Sequence, residues 1–122
     1  MTTVSKDAPD LRALEGLAES LTRGALVTEP DSVAAYRFDY TADAGAGMPL
    51  AVVRASSAAD VQATVRWAGE HGIPVVPRGA GSGLSGGANA IDGCLVVSLE
   101  RMRAVEVDPA TRTAVVEAGA LN

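Results

Sequence analysis

Residues 73–88 read IPVVPRGAGSGLSGGA, a short apolar run that leads directly into a segment rich in glycine. Residues 77–88, called the glycine loop below, hold five of the chain's 13 glycines. Glycine loses more backbone entropy on folding than any other residue, so this concentration indicates a conformation that side chains would obstruct. Successive backbone N–H groups that curl around a concavity bind anions, phosphate above all. The glycine loop is therefore predicted to hold a phosphate compound.

The segments on both sides of the glycine loop predict a βαβ unit. Residues 50–54 (LAVVR) have the composition of a buried strand, and residues 73–76 form a second short apolar run. Between them, Ser57 can cap an amphipathic helix that continues to about His71 and ends at Gly72. Strands joined in this way are expected to be parallel, with a right-handed crossover. Residues 94–99 (CLVVSL) predict a third strand after the glycine loop.

The two ends of the chain complete an α+β fold in which the βαβ unit and a hairpin belong to a small mixed sheet. A helix is expected from about Asp7 to Arg23, with Asp7 as its cap and Pro9 in its first turn. Residues 103–108 alternate in polarity, turn at Asp108-Pro109, and return over residues 113–118 as a hairpin. We divide the chain into an N-terminal helix with an irregular segment, residues 1–49, and a lobe formed by residues 50–122.

Composition limits the classes of function. The chain has 122 residues, 48% of them hydrophobic, which suits one globular domain. A formal net charge of -5 argues against nucleic acid or an anionic membrane surface as the main partner. No window is apolar enough for a membrane span and the N-terminus does not resemble a signal peptide, so we expect a cytoplasmic protein. The single cysteine, Cys94, is expected to be a small buried residue, and no metal-type cluster is evident.

Two familiar phosphate-binding loops do not fit the glycine loop. A nucleoside-triphosphate P-loop needs a Lys and a Ser or Thr after its last glycine, and here Gly87 and Ala88 follow Gly86. Residues 81–86 (GSGLSG) match the dinucleotide fingerprint, but that fingerprint requires a helix that begins within it. Only residues 87–93 separate the match from the next predicted strand, and a helix of that kind does not fit.

A third class, a strand followed by a long glycine loop and another strand, fits well. The chain resembles the FAD-linked oxidases of the vanillyl-alcohol oxidase type, which carry a PCMH-type FAD-binding domain. The nearest branch is the group of the glycolate oxidase subunit and D-lactate dehydrogenase. The resemblance rests on residues 77–88 (PRGAGSGLSGGA), 98–102 (SLERM) and Asp108-Pro109, and it extends over roughly residues 31–122.

The resemblance implies that FAD binds between two lobes, of which this chain is the first. Carried over by position, the amides of residues 78–82 would contact the FAD pyrophosphate, and the glycines would let the backbone pass close to it. Gly119 would line the cofactor wall, although Ala118 departs from the proline usual in the family. The implied cofactor-binding residues are Pro77, Arg78, Gly79, Ala80, Gly81, Ser82, Gly83, Ser85, Gly86, Gly87 and Gly119.

The resemblance also implies the activity of the whole protein. A 2-hydroxy acid of the glycolate or D-lactate type would lose a hydride to FAD, and an electron acceptor would reoxidise the flavin. Catalytic residues would lie beyond residue 122, so none is assigned here. The alternative is a self-contained, non-catalytic phosphate- or nucleotide-binding module. His71 and Trp67 are expected to have no catalytic role, and Tyr36, Asp39 and Tyr40 are expected mainly to pack.

Overall fold

The computed structural model describes residues 11–122, and a four-stranded mixed sheet lies at its centre. A separate two-stranded sheet follows it in the chain. The elements, in chain order, are α1 (Leu11–Glu19), β1 (Leu26–Val27), α2 (Pro30–Ala34), β2 (Ala51–Arg54), α3 (Ala58–His71), β3 (Val75–Arg78), β4 (Leu95–Ser98), β5 (Val105–Asp108) and β6 (Thr113–Val116). The predicted α+β class is confirmed.

The four-stranded sheet has the order β1-β2-β4-β3, so the last parallel strand lies between the two strands of the βαβ unit. β4 is parallel to β2 and to β3, and β1 pairs antiparallel with β2 at the edge. The register aligns Arg54, Ser98 and Arg78 at the carboxyl ends of the three parallel strands. The glycine loop therefore begins at the edge of the sheet where open α/β sheets commonly bind ligands.

Apolar clusters cover the sheet on both faces. On one face, Leu14 and Leu17 of α1 and Trp67 of α3 pack with Val53 and Leu95. On the other, Val33 of α2 packs with Val52 and Val96, together with Cys94 and the buried Ala90 that follows the glycine loop. Every residue of β4 is buried, as the parallel strand covered on both sides requires. Cys94 is buried as expected.

The helix of the βαβ unit begins and ends where its capping residues predict. The Ser57 side chain accepts a hydrogen bond from the Asp60 amide at 3.3 Å, and Gly72 adopts a left-handed conformation with φ 62° at the C-terminus. Asp60 itself is buried and accepts hydrogen bonds from the Thr22 amide and hydroxyl, both at 2.8 Å, and from the Ser56 amide at 2.9 Å. This carboxylate joins α3 to the segment that leads into β1.

Several predicted boundaries require correction. α1 ends at Glu19 and not at Arg23, because the amides of Ser20 and Leu21 make tighter bonds three residues back, to Leu17 and Ala18. Asp7 and Pro9 lie outside the described residues. β3 begins two residues later than predicted, because the Ile73 amide is still bonded to Ala68 at the helix end.

Two further features of the sheets differ from the sequence-based expectation. The short edge strand β1 was not anticipated. The hairpin of β5 and β6 pairs only with itself and does not join the four-stranded sheet. Both of its strands are exposed along their whole length.

Asp60 gives a test of how the βαβ unit is held. Burial raises the pKa of Asp60, but the donors from Ser56 and Thr22 outweigh that effect and hold the pKa below its usual value of 3.8. Asp60→Asn should therefore lower the free energy of unfolding by about 1–3 kcal/mol near neutral pH. The contribution of Asp60 to the free energy of unfolding is complete above its pKa in the unfolded state. It is lost as the pH falls through the lower pKa of the folded state.

Urea unfolding of wild type and variant at several pH values measures this difference, and the two curves should converge in acid. Asp31→Asn is the matched control, because Asp31 also lies in the first turn of a helix but is exposed. An equal loss in both variants, or a gap that persists in acid, would contradict the assignment.

Candidate functional site

The chain leaves the sheet after Arg78, runs through the glycine loop and returns to the sheet at Leu95 without forming a helix. The absence of a helix in this segment agrees with the exclusion of the dinucleotide fold. Gly81 and Gly86 have φ values of +70° and +79°, a region that other residues rarely adopt. Ser82 and Ser85 are exposed, so their hydroxyls are accessible to a ligand.

The amides of the glycine loop are largely free. Within residues 11–122, no backbone amide from residue 79 to residue 85 donates a hydrogen bond to another protein atom. After Arg78, which belongs to β3, the next loop amide with a partner is that of Gly86, which donates to Asp39 Oδ2 at 2.8 Å. A run of unpaired N–H donors in a segment rich in glycine is the arrangement that binds phosphate groups. It includes four of the five amides that the sequence assigns to the pyrophosphate, those of Gly79, Ala80, Gly81 and Ser82. The fifth, that of Arg78, belongs to β3 and its ladder with β4.

Arg78 is the only charged residue of the loop, and its side chain is already engaged. Its Nη1 donates to the carbonyl of Phe38 at 2.8 Å and to that of Tyr36 at 3.4 Å. The guanidinium lies 5.6 Å from the centre of the Tyr36 ring. A Cβ on Gly81 would come within 2.1 Å of Arg78 Nη2. The guanidinium therefore fills the space between residues 36–38 and the loop. The positive φ of Gly81 is what favours glycine there, since the Arg78 side chain could move away from an added methyl group.

Residues 36–41 form a second layer under the loop, although the sequence predicts mainly a packing role for Tyr36, Asp39 and Tyr40. Asp39 is only 4% exposed. Its Oδ1 accepts the Thr41 amide at 2.8 Å and the Thr41 hydroxyl, and its own amide donates to Asn89 Oδ1 at 2.7 Å. The Tyr40 amide donates to the Gly83 carbonyl at 3.2 Å. This segment thus contacts the loop at its beginning, its middle and its end.

These contacts fix the charge of Asp39. The Thr41 hydroxyl, together with the amides of Thr41 and Gly86 and the positive charge of Arg78, holds the pKa of Asp39 below its usual value despite burial. The only local signal in the sequence was the spacing of Asp39 and Thr41, which permits a side chain to bond the backbone two residues on. Nothing local indicated the bond to Gly86, which is 47 residues away.

A polar cluster joins the carboxyl ends of the strands beside the loop. The Tyr36 hydroxyl donates to Glu100 Oε1 at 2.9 Å, and Arg54 Nε lies 3.4 Å from the same oxygen. Burial, followed by the hydrogen bond to Glu100, raises the pKa of Tyr36. Burial also opposes ionisation of Glu100, but the Tyr36 hydroxyl and the Arg54 charge outweigh it and lower the pKa of Glu100. The cluster ties residue 36, and with it the layer under the loop, to β2 and β4.

Gly119 lies against the turn that follows β4. Its amide donates to the Met102 carbonyl at 2.9 Å, and a Cβ at this position would come within 1.7 Å of the Leu99 carbonyl oxygen. This close backbone approach is sufficient reason for a glycine, whether or not the residue also lines a cofactor. Gly87, by contrast, has open space where a Cβ would be, consistent with a residue on the outer side of the loop.

The remaining candidate residues contribute no chemistry to this edge. His71 Nδ1 lies 2.8 Å from the Trp67 carbonyl, and the two rings stack at 4.1 Å on α3. In the described part of the chain, no group of three or more His, Cys, Asp or Glu side chains is placed to hold a metal ion. No helix among residues 11–122 has the length and apolar character needed to cross a bilayer.

Comparison with known proteins identifies the group to which this fold is related. Residues 49–122 match the family described as FAD binding domain. A D-2-hydroxyglutarate dehydrogenase of Xanthomonas citri is 43% identical over 95 residues, and a D-lactate dehydrogenase of Archaeoglobus fulgidus is 42% identical over 88. These alignments cover 77% and 70% of this chain but only 20% of each relative.

A solved structure gives the same result for the fold. The 4-ethylphenol oxidase of Gulosibacter chungangensis superposes with a TM-score of 0.76 at 27% identity, covering 89% of this chain and 22% of that enzyme. The chain thus spans about a fifth of the length of the proteins that it matches.

Gly119 gives a test of the close approach at the edge of the sheet. Gly119→Ala should lower the free energy of unfolding by about 1–3 kcal/mol, because its methyl group would overlap the Leu99 carbonyl and force the backbone to move. Gly69→Ala is the control with the opposite expected sign: it lies in α3 with open space around it, and alanine should stabilise that helix by about 0.5–1 kcal/mol. Thermal unfolding measures both, and a neutral Gly119→Ala would refute the packing.

Proposed function

The chain belongs to the FAD binding domain family, and on that premise we propose that it forms the FAD-binding part of a flavin-dependent oxidoreductase that oxidises a 2-hydroxy acid. FAD is the cofactor of the family. The observation that carries the proposal is the row of unpartnered amides at residues 79–85, placed at the carboxyl edge of a parallel sheet.

The residues of the loop fit the pyrophosphate of FAD. The amides of residues 79–82 would donate to its oxygens, and the exposed hydroxyls of Ser82 and Ser85 would add further donors. Pro77 and the glycines at positions 79, 83, 86 and 87 keep bulky side chains away from the bound group. Hydrogen bonds to a charged acceptor contribute roughly 1.5–3 kcal/mol each, so several of them would stabilise the complex substantially.

The binding site has little dependence on side-chain charge. Arg78 faces the Tyr36 and Phe38 carbonyls, so in this arrangement it would act on the pyrophosphate mainly through its positive field. Dipoles of backbone amides act at short range. They can therefore attract an anionic ligand locally, even though the chain has a net charge of -5. The absence of a loop lysine accords with a ligand that is held and is not cleaved at its phosphates.

The names of the relatives support the substrate class. Both the Xanthomonas citri and the Archaeoglobus fulgidus relatives are named as dehydrogenases of a D-2-hydroxy acid. Bound flavin supplies the hydride acceptor for the oxidation of such a substrate at its α-carbon, and an external electron acceptor completes the cycle. The residues described here would bind and orient the cofactor. The acid or base that acts on the substrate is proposed to lie in the part of the protein that corresponds to the rest of these relatives.

Flavin content is the direct test of the binding site. The complete protein that contains this chain should purify with, or be reconstituted to, a flavin absorbance spectrum. Gly81→Ala should strongly reduce bound FAD, because alanine is strained at a φ of +70° within the loop and its methyl group would also push the Arg78 guanidinium aside.

The matched control is Gly24→Ala, which has a similar φ of +77° but nothing within 4 Å of its added Cβ. It carries the same kind of backbone strain away from the loop and should retain flavin. A colourless wild-type protein that cannot be reconstituted with FAD would overturn the proposal. Binding of simple phosphate or nucleotides in its place would favour the self-contained module.

Substrate oxidation is tested separately. Under anaerobic conditions, D-lactate or D-2-hydroxyglutarate should bleach the visible flavin absorbance of the complete protein, whereas the matched compounds without the hydroxyl group should not. Residues 1–122 alone should turn over neither acid, since this chain holds the cofactor but not the proposed acid or base. Turnover by residues 1–122 alone would show that the catalytic groups have been misplaced.

A further inference from the structure

Asp39 lies beneath the glycine loop, and its role goes beyond filling space. The carboxylate is buried and accepts three hydrogen bonds, two from Thr41 and one from Gly86. The bond to Gly86 is the one that reaches the loop, and it binds the amide that follows the unpaired amides of residues 79–85. A negatively charged side chain next to a proposed anion site is unexpected, because it would repel the ligand.

We propose that Asp39 is a positioning residue for FAD: by holding the Gly86 amide it fixes the glycine loop in the open shape that leaves the amides of residues 79–85 available to the pyrophosphate. The inference rests on the proposed function and names the part of the chain that prepares that site. Asp39 does not itself touch the cofactor in this arrangement.

The first argument is entropic. A segment with five glycines has many accessible conformations, and fixing each backbone residue costs roughly 1–2 kcal/mol. A ligand that had to order the whole loop would lose that free energy from its affinity, whereas a loop ordered beforehand would bind more tightly. The structure provides the ordering from residues 36–41, through Arg78 at the start of the loop, Gly83 in its middle and Gly86 near its end.

The second argument concerns the direction of the peptide groups. In a trans peptide the C=O and the following N–H point to opposite sides. The Gly83 carbonyl accepts the Tyr40 amide, so the next amide, that of Leu84, is directed away from residues 36–41. Asp39 accepts the Gly86 amide on the side of the loop that faces residues 36–41. Together these two bonds define an inner side of the loop that faces residues 36–41 and an outer side that keeps its donors.

The third argument concerns charge. An ionised carboxylate near a pyrophosphate repels it unless the negative charge is compensated. Here three donors bind the carboxylate, and the positive charge of the nearby Arg78 guanidinium offsets part of its negative charge. Asp39 can therefore bind a loop amide more strongly than a neutral acceptor could, with little effect on the anion on the other side of the loop.

Amide hydrogen exchange and FAD affinity together test the proposal, using the complete protein prepared without flavin. Asp39→Asn should speed exchange of the amides whose bonds hold the loop, those of Gly86, Asn89 and Tyr40. It should also raise the FAD dissociation constant by about tenfold, the scale of losing one hydrogen bond to a charged group. Asp43→Asn is the matched control. Asp43 Oδ1 also accepts a glycine amide, that of Gly45 at 2.8 Å, but in an exposed turn that makes no bond to the loop. It should change neither quantity.

Thr41→Val is the second variant, and it covers the case in which Asp39→Asn fails to fold. It removes the hydroxyl donor of Asp39 at an exposed position, so a folded protein with a smaller change in the same direction is expected. Folded variants with wild-type loop exchange and wild-type FAD affinity would overturn the proposal. A wild-type protein that binds no FAD would overturn the proposed function, while the exchange comparison would still decide whether Asp39 fixes the loop.

Discussion

The parallel pairing of β4 with both β2 and β3 is the constraint on which the rest of the structure depends. All four residues of β4 are buried, so its backbone groups must be paired along both edges. The resulting register brings Arg54, Ser98 and Arg78 to one level. The glycine loop, the turn that receives Gly119 and the polar cluster around Glu100 all begin at that level. The position of the proposed binding site at this edge of the sheet thus follows from the pairing of the backbone groups of one buried strand, β4.

Local sequence signals were sufficient for the elements that depend on neighbouring residues. Ser57 and Gly72 placed the ends of α3, and Asp108-Pro109 placed the hairpin turn, because caps and turns are set by contacts within a few residues. The spacing after Gly86 excluded a dinucleotide helix for the same reason. The family resemblance then supplied FAD, which the residues alone could not distinguish from other phosphate compounds.

Contacts between distant segments were the part that the sequence did not predict. Asp39 meets Gly86, and Gly119 meets Leu99, only because the sheet brings those segments together. The two-residue strand β1 depends on its antiparallel partner β2 and has no periodicity of its own to detect. Even β3 was displaced by two residues, because a helix-terminal bond to Ile73 took precedence over the apolar pattern. Pairing partners, and not propensities, decide these positions.

The exposed hairpin has a practical consequence. Val105, Val107, Val115 and Val116 are each more than half exposed, on a ribbon whose two strands pair only with each other. Such a ribbon has two open edges, and β-branched residues favour the addition of further strands. Glu106 and Asp108 are the charges on β5 that oppose it. If residues 1–122 are produced alone, their tendency to aggregate should therefore rise with ionic strength, since salt screens the repulsion that keeps neighbouring ribbons apart.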